Sequence, residues 1–257
     1  MSFLFILLLS VSQARSRSVH PPSAFPTPNS VLWVGAHPDD ESIAAPLLRK
    51  WCVDDRARCT LLIATRGESG ACLRSDGCLP DIATVRSAEA GAASEYFDAG
   101  LILLNFPDGG GSAPPPWAHA ALLTTTLADY IQATHPDLIL TFDPRHGATC
   151  HPDHRAVADG VLGAVSHLAS PPAVYFLETR VAIASDPFAI HFTPAMSAAL
   201  RFDATSSWSA VTDDMQRHAS QFDLRWIAAV ETVPEADRAV SIAPAAIALG
   251  QNVTPCP

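Results

Sequence analysis

The stretch Val31-Leu32-Trp33-Val34-Gly35-Ala36 runs straight into His37-Pro38-Asp39-Asp40-Glu41. Its first half carries the fold and its second half the chemistry. Six apolar or small residues without alternation mark a strand covered on both faces, as in a parallel sheet. The abrupt change to proline and acids marks a turn into a helix. The same pattern recurs along the chain. Strands are expected at residues 31–36, 59–65, 101–105, 137–142 and 173–178. Helices are expected at 42–51, 82–97, 118–133, 152–167 and 209–230; the third carries Leu123, Leu127, Tyr130 and Ile131 at helical spacing. Such alternation argues for an α/β fold: a Rossmann-like open, mostly parallel sheet flanked by helices.

The chain has 257 residues, enough for one large α/β domain, placed at residues 31–257. Hydrophobic residues make up 48% and charged ones 16%, so the chain can bury enough apolar surface to offset its entropy. The net charge is −10 and Lys50 is the only lysine. No basic stripe exists, so nucleic acid is not expected as a partner.

Residues 1–14 (MSFLFILLLSVSQA) hold an apolar run too short to span a bilayer and of the size of a signal-peptide core. Ser12 and Ala14 form a small-x-small cleavage pattern, although the segment before the run lacks Lys and Arg. The expectation is a secreted or periplasmic protein without a stable membrane span after processing. Residues 15–30, rich in Ser and Pro, read as a flexible lead-in. Six cysteines in an exported chain suggest disulfides, with 15 complete pairings open. Cys52 with Cys59 and Cys72 with Cys78 are the close pairs; Cys150 reads as a free, buried thiol.

The tetrapeptide His37-Pro38-Asp39-Asp40 has a counterpart, His151-Pro152-Asp153-His154. Each follows an expected strand and precedes an expected helix. Proline suits the first helical position, and positions i and i+3 share a face of the first turn. His37 then aligns with Asp40, and His151 with His154. In open α/β sheets ligands bind beyond the carboxyl ends of the strands, where both motifs fall. A catalytic zinc keeps three protein ligands and a place for water. The two turns offer six groups: His37, Asp39, Asp40, His151, Asp153 and His154. The residues alone leave the choice of ligands open. Two structural helix caps are the alternative reading. The loop at 109–117, with three glycines, three prolines and Trp117, is placed to rim a site or simply to connect.

Ala36-His37-Pro38-Asp39-Asp40-Glu41 together with His151-Pro152-Asp153-His154 resembles the LmbE-like or PIG-L family of zinc deacetylases. Thr65-Arg66-Gly67-Glu68-Ser69-Gly70, the pair Arg86 and Glu89, Phe106-Pro107-Asp108-Gly109 and His218-Ala219-Ser220-Gln221 resemble further segments of that family. The likeness covers about residues 31–222. It implies one zinc ion held by His37, Asp40 and His154, with Asp39 as general base. It implies that His151 stabilises the oxyanion or acts as acid, that Asp153 orients its ring, and that Arg86 contacts substrate or else pairs with Glu89. Glu41 is read as structural, holding the first turn. The implied reaction is hydrolysis of the N-acetyl amide of a GlcNAc-type amino sugar, so the expected partner is a carbohydrate or glycoconjugate. A metal amidase acting on another N-acyl group and a catalytically silent sugar-binding protein are the competing readings. The signal-like start favours an extracellular glycan or a glycosylated natural product over a cytosolic thiol-cofactor substrate.

Overall fold

The computed structural model describes residues 24–111, 113–118, 121–195, 197–252 and 256. The leader at 1–14 lies outside the described residues. β1 (Ser30–Gly35) passes through a 3₁₀ turn (Asp40–Ala44) into α1 (Ala45–Leu48) and a π-helical turn (Arg49–Asp54). Then follow β2 (Arg58–Thr65), α2 (Ile82–Tyr96), β3 (Ala99–Phe106), α3 (Ala121–Thr134), β4 (Leu138–Phe142), α4 (Gly147–Cys150), α5 (Pro152–Ser166) and β5 (Ala173–Leu177). The C-terminal third holds β6 (Thr179–Ser185), β7 (Phe188–Pro194), β8 (Leu200–Asp203), α6 (Ser209–Met215), α7 (Leu224–Glu231), β9 (Ala239–Pro244) and α8 (Ala245–Ala248).

The main sheet has the order β3-β2-β1-β4-β5-β9-β8. β1 to β5 run parallel, and β9 and β8 add an antiparallel edge. Every residue of β1 and of β4 is buried, as expected for central strands of an α/β sheet. Alternate side chains serve opposite faces. Trp33, Leu61 and Leu140 enter one core with Leu47, Leu48, Trp51 and Phe97. Leu32, Leu62 and Ile139 enter the other with Leu123 and Leu127 of α3 and Val157 and Val161 of α5. The chain builds outward from β1 to β3, then returns across β1 to lay down β4. The β1/β4 boundary is therefore the topological switch point, and the crevice there is where such sheets bind ligands.

Several elements differ from the sequence reading. The helix expected at 42–51 is a run of 3₁₀, α and π turns. The helix expected at 209–230 is two helices, because Asp223 caps α7 by accepting from Arg225 N and Trp226 N and so starts a new helix. The β6–β7 hairpin and strands β8 and β9 lacked a strong pattern; β6 alternates weakly and is half exposed. Part of the stretch before β1 is docked: Phe25 packs against Trp51 and Phe202 with ring centroids 6.1 and 5.8 Å away.

The close cysteine pairs are bonded, Cys52–Cys59 and Cys72–Cys78. The free-thiol reading of Cys150 is corrected: it is bonded to Cys256, 106 residues away. Cys256 lies beside the β4–α4 connection, where its N donates to Arg145 O at 3.2 Å. Among the described residues no helix is long and apolar enough to cross a membrane.

Candidate metal and catalytic centre

The turn after β1 is shaped by its own acid. Asp40 Oδ2 accepts the amides of Ala36 (2.7 Å) and His37 (2.9 Å), which folds the chain back on itself. This is not a regular helical first turn, as the sequence suggested: Asp39 sits at φ 108° and the 3₁₀ turn starts at Asp40. His37 and Asp40 still converge, with Nδ1 3.6 Å from Oδ1. The second motif is the regular one. His151 is the N-cap of α5 and accepts the Asp153 amide at 3.2 Å on Nδ1, Pro152 opens the helix, and His154 lies in its first turn.

His154 Nε2 approaches the same Asp40 Oδ1 at 2.9 Å. Its ring stacks on Phe142, the last residue of β4, at 4.1 Å. The nitrogens that face away are each held by an oxygen. His154 Nδ1 donates to Gly147 O at 2.8 Å, and His37 Nε2 lies 3.2 Å from Asp153 Oδ2 and 3.5 Å from Asp108 Oδ1. Histidines that ligate metals show this pattern: an outer oxygen fixes the tautomer and leaves the inner nitrogen free. Burial lowers the pKa of His37, but hydrogen bonds that its ring donates to Asp108, Asp153 and Asp40 outweigh it and raise it well above its ordinary value. The donor set, inner nitrogens of two histidines and a carboxylate oxygen, fits a divalent cation such as zinc. His151 belongs to the same cluster, with a ring nitrogen within 4.8 Å of those of His37 and His154.

Other side chains stand in positions the sequence did not foresee. Asp153, expected to orient His151, does so through its backbone amide, while its carboxylate holds His37 and the Gly109 amide (2.9 Å), with Oδ1 4.0 Å from His151 Nδ1. Its position inside the first turn of α5 aims it across the crevice at β1. Arg86, on α2, is buried and pairs with Asp39 Oδ2 at 3.0 Å; it also donates to Gly67 O at 3.1 Å and to Pro38 O. It therefore clamps the turn that carries Asp39. Glu89 turns away from it to accept from Ser220 N and Oγ at 2.9 and 2.6 Å. Gly67, at φ +67°, has to be glycine, since a Cβ there would lie 2.3 Å from Arg86 Nη1.

Burial raises Asp39 above its ordinary range, against the pull of the Arg86 charge. His151 is pushed down to about 4 by burial and by its neighbours His154 and His37. Its ring is neutral near pH 7, and with Nδ1 accepting the Asp153 amide the proton sits on Nε2. That atom faces the 109–117 loop: a Cβ on Gly111 would lie 2.9 Å from it. The loop thus rims the site while Trp117 anchors it, donating to Pro107 O at 2.6 Å.

Asp108 received no role from the sequence, although its segment stood out. Burial raises its pKa, but His37 and the amides of Gly110 and Ser69 outweigh this and hold it far below the usual carboxylate range. His218 likewise stood in a noted segment without a role. It is fully buried, with Nε2 2.8 Å from Glu41 Oε1, while Glu41 Oε2 accepts the Asp39 amide at 3.3 Å. Glu41 thus ties the first turn to the late helical region. Burial opposes the charge of His218, but Glu41 and then Asp214 push its pKa up to about 9. A raised histidine contributes its stability in full below the unfolded value, 6.5, and loses it as pH rises through the folded value, about 9. Asp214, raised to about 7 by burial and Glu41, has the same sign in a lower window: its contribution is full below 3.8 and is lost as pH rises through about 7, so the fall above that is carried by His218. The melting temperature is therefore expected to fall between pH 6.5 and about 9, and His218→Gln should flatten that fall. Thermal unfolding in matched buffers reads it; a flat wild-type profile contradicts the pairing.

The centre opens into a cavity of about 350 Å³. His37, Asp39, Asp40, Asp108, His151 and His154 line one end; residues of β6, β7, α6 and α7 line the other. Fold and site together define an open α/β protein with a buried His/Asp centre at its topological switch point. A family model described as PIG-L: GlcNAc-PI de-N-acetylase matches residues 32–165, and the chain belongs to that family.

The chain is 28% identical over 164 residues to the 1D-myo-inositol 2-acetamido-2-deoxy-alpha-D-glucopyranoside deacetylase of Kineococcus radiotolerans. That match covers 54% of this chain and 45% of the relative, so the chain spans less than half of that protein's length. Among solved structures, N,N'-diacetylchitobiose deacetylase from Pyrococcus horikoshii is similar with a TM-score of 0.63 and 16% identity, over 79% of this chain and 74% of that one. GalB, the 4-carboxy-2-hydroxymuconate hydratase of Pseudomonas putida KT2440, is similar with a TM-score of 0.59 and 17% identity, over 83% and 95%. At these identities the likeness is one of fold. Proteins named for two different reactions share it, so the reaction has to be argued from the side chains.

Proposed function

We propose that this chain is a zinc-dependent hydrolase that removes the acetyl group from an N-acetylated amino sugar of the GlcNAc type. The observation that carries the reading is the meeting of His37 Nδ1 and His154 Nε2 on Asp40 Oδ1, with Asp39 and His151 at the same end of the cavity. The membership in a family described as a de-N-acetylase supports the bond that is cut.

Zinc held by His37, Asp40 and His154 would polarise an amide carbonyl and bring the pKa of a water to about 7. Asp39 is the base. Its Oδ2 is tied to Arg86, which fixes the carboxylate, and burial raises its pKa toward that of a useful proton acceptor. It takes a proton from water as the new C–O bond forms at the acetyl carbon. His151 donates its Nε2–H to the amide oxygen as negative charge grows there; a neutral imidazole suffices for this. The proton held by Asp39 passes to the sugar nitrogen as the C–N bond breaks. Acetate and a free amine leave. Asp153 and Asp108 act by holding the His37 ring, and Arg86 by positioning Asp39. The reading is tested by acetate release from methyl N-acetylglucosaminide by protein of measured metal content; metal-replete protein that releases none contradicts it.

We further propose export. The signal-like residues 1–14 and the three disulfides support it, because such bonds persist in oxidising compartments. Intact mass of protein secreted from an exporting host is expected to show a chain starting near Arg15 with three disulfides. A full-length chain with six free thiols would falsify this.

A further inference from the structure

The cavity has more apolar wall than an acetyl group needs. The β6–β7 hairpin contributes Val181, Ile183, Ile190 and Phe192, and the region of α6 and α7 adds Phe222 and Trp226. The residues these strands and helices give to the cavity are apolar, and Gln221, beside Phe222, is the polar side chain that this region adds. The wall is braced from behind. Trp226 meets Phe188 edge-on at 5.1 Å and Phe222 at 5.6 Å, and Phe192 meets Trp208 at 5.0 Å. It is part of a separate hydrophobic cluster, distinct from the two that cover the main sheet. Ile183 stays 51% exposed at the rim.

A methyl group fills a small part of such a wall. A second sugar could lay a C–H face on the rings of Phe222 or Trp226, but its hydroxyls would lose water without gaining partners along Val181, Ile183 and Ile190. An alkyl or aryl group suits it. We propose that the amino sugar carries an apolar aglycone, and that this group lies along the hairpin while the N-acetyl group reaches the His/Asp centre. The substrate class is thus an N-acetylglucosaminide of an alkyl or aryl alcohol rather than an oligosaccharide. The proposal rests on the deacetylase reading for which bond is cut. The wall itself does not depend on it.

Each methylene withdrawn from water is worth about fourfold in affinity, so a few in contact give roughly 10–100-fold. Four compounds separate the outcomes: methyl N-acetylglucosaminide, octyl N-acetylglucosaminide below its micellar concentration, N,N'-diacetylchitobiose and N-octanoylglucosamine. The expected result is a kcat/KM for the octyl glycoside at least ~10-fold above those of the methyl glycoside and the disaccharide. Ile183→Asp, at an exposed position that tolerates charge for folding, should bring the octyl-to-methyl ratio close to one. That ratio is insensitive to the fraction of active protein. Binding of octyl and methyl glucosaminide is measured in parallel by calorimetry, with the same ~10-fold difference expected. Equal binding of the two overturns the proposal whatever the turnover. A best rate with the disaccharide also overturns it, as does faster cleavage of N-octanoylglucosamine than of the N-acetyl compounds, which would give the wall to the acyl chain. Absence of acetate from all three N-acetyl compounds defeats the deacetylase reading alone, and the binding comparison still decides the wall.

Discussion

Asp40→Asn is expected to lose the metal and, with it, turnover. The reason lies in how the carboxylate is divided. Oδ2 accepts the amides of Ala36 and His37, and Oδ1 faces His37 Nδ1 and His154 Nε2. An asparagine has one oxygen and one NH₂ group. If its oxygen keeps the two amides, the turn survives, but an NH₂ then points at the centre and cannot ligate. If the group flips, the turn loses its two hydrogen bonds. Either way the loss of metal affinity should exceed the roughly 10–100-fold that follows loss of an outer-sphere partner. Metal analysis of chelator-free preparations checks it. A stoichiometric metal content in Asp40→Asn would place the centre elsewhere, with His151 as the third donor.

Asp39→Asn is expected to keep its metal and still lower kcat by about 10²–10⁴-fold, the range for a lost general base. Asparagine tolerates a positive φ better than most residues, so the 108° turn should persist. Its amide oxygen can still accept from Arg86, which keeps the side chain in place. What it lacks is a basic oxygen. Measuring metal and turnover on one sample separates the two acids, which are adjacent and chemically alike. If Asp39→Asn loses the metal while Asp40→Asn keeps it, the roles are exchanged; if both stay active, the two-motif centre is not catalytic.

Much of this centre could be read from the chain because its grammar is local. An unbroken apolar strand followed by His-Pro-Asp-Asp, and a second strand followed within nine residues by His-Pro-Asp-His, place both motifs at one sheet edge. Strand and helix patterns at 31–36, 137–142 and 152–167 came close to the observed elements for the same reason. The helix geometry inferred for the first motif was not legible, since the Asp40 carboxylate closes a tighter turn by capping two amides behind it. Which carboxylate meets which imidazole was not legible either. Asp153 serves His37 because β1 and β4 are neighbours in the sheet, a fact that the sequence order conceals. Cys150 and Cys256 are bonded across a separation of 106 residues, which no local pattern reveals. The β6–β7 hairpin gave no clear signal, because one of its faces lines a cavity rather than a core or bulk water. Asp223 was legible in principle: an Asx cap in the middle of an expected helix predicts a break.

The central claim is that the two histidine motifs hold one catalytic metal. Its most direct test is to strip the purified protein with a chelator, remove the chelator, and titrate zinc back while following acetate release from methyl N-acetylglucosaminide. The expected result is no turnover at zero metal and a linear recovery that levels off near one zinc per chain. Full turnover in the stripped protein, with metal analysis confirming that it is empty, would contradict the claim.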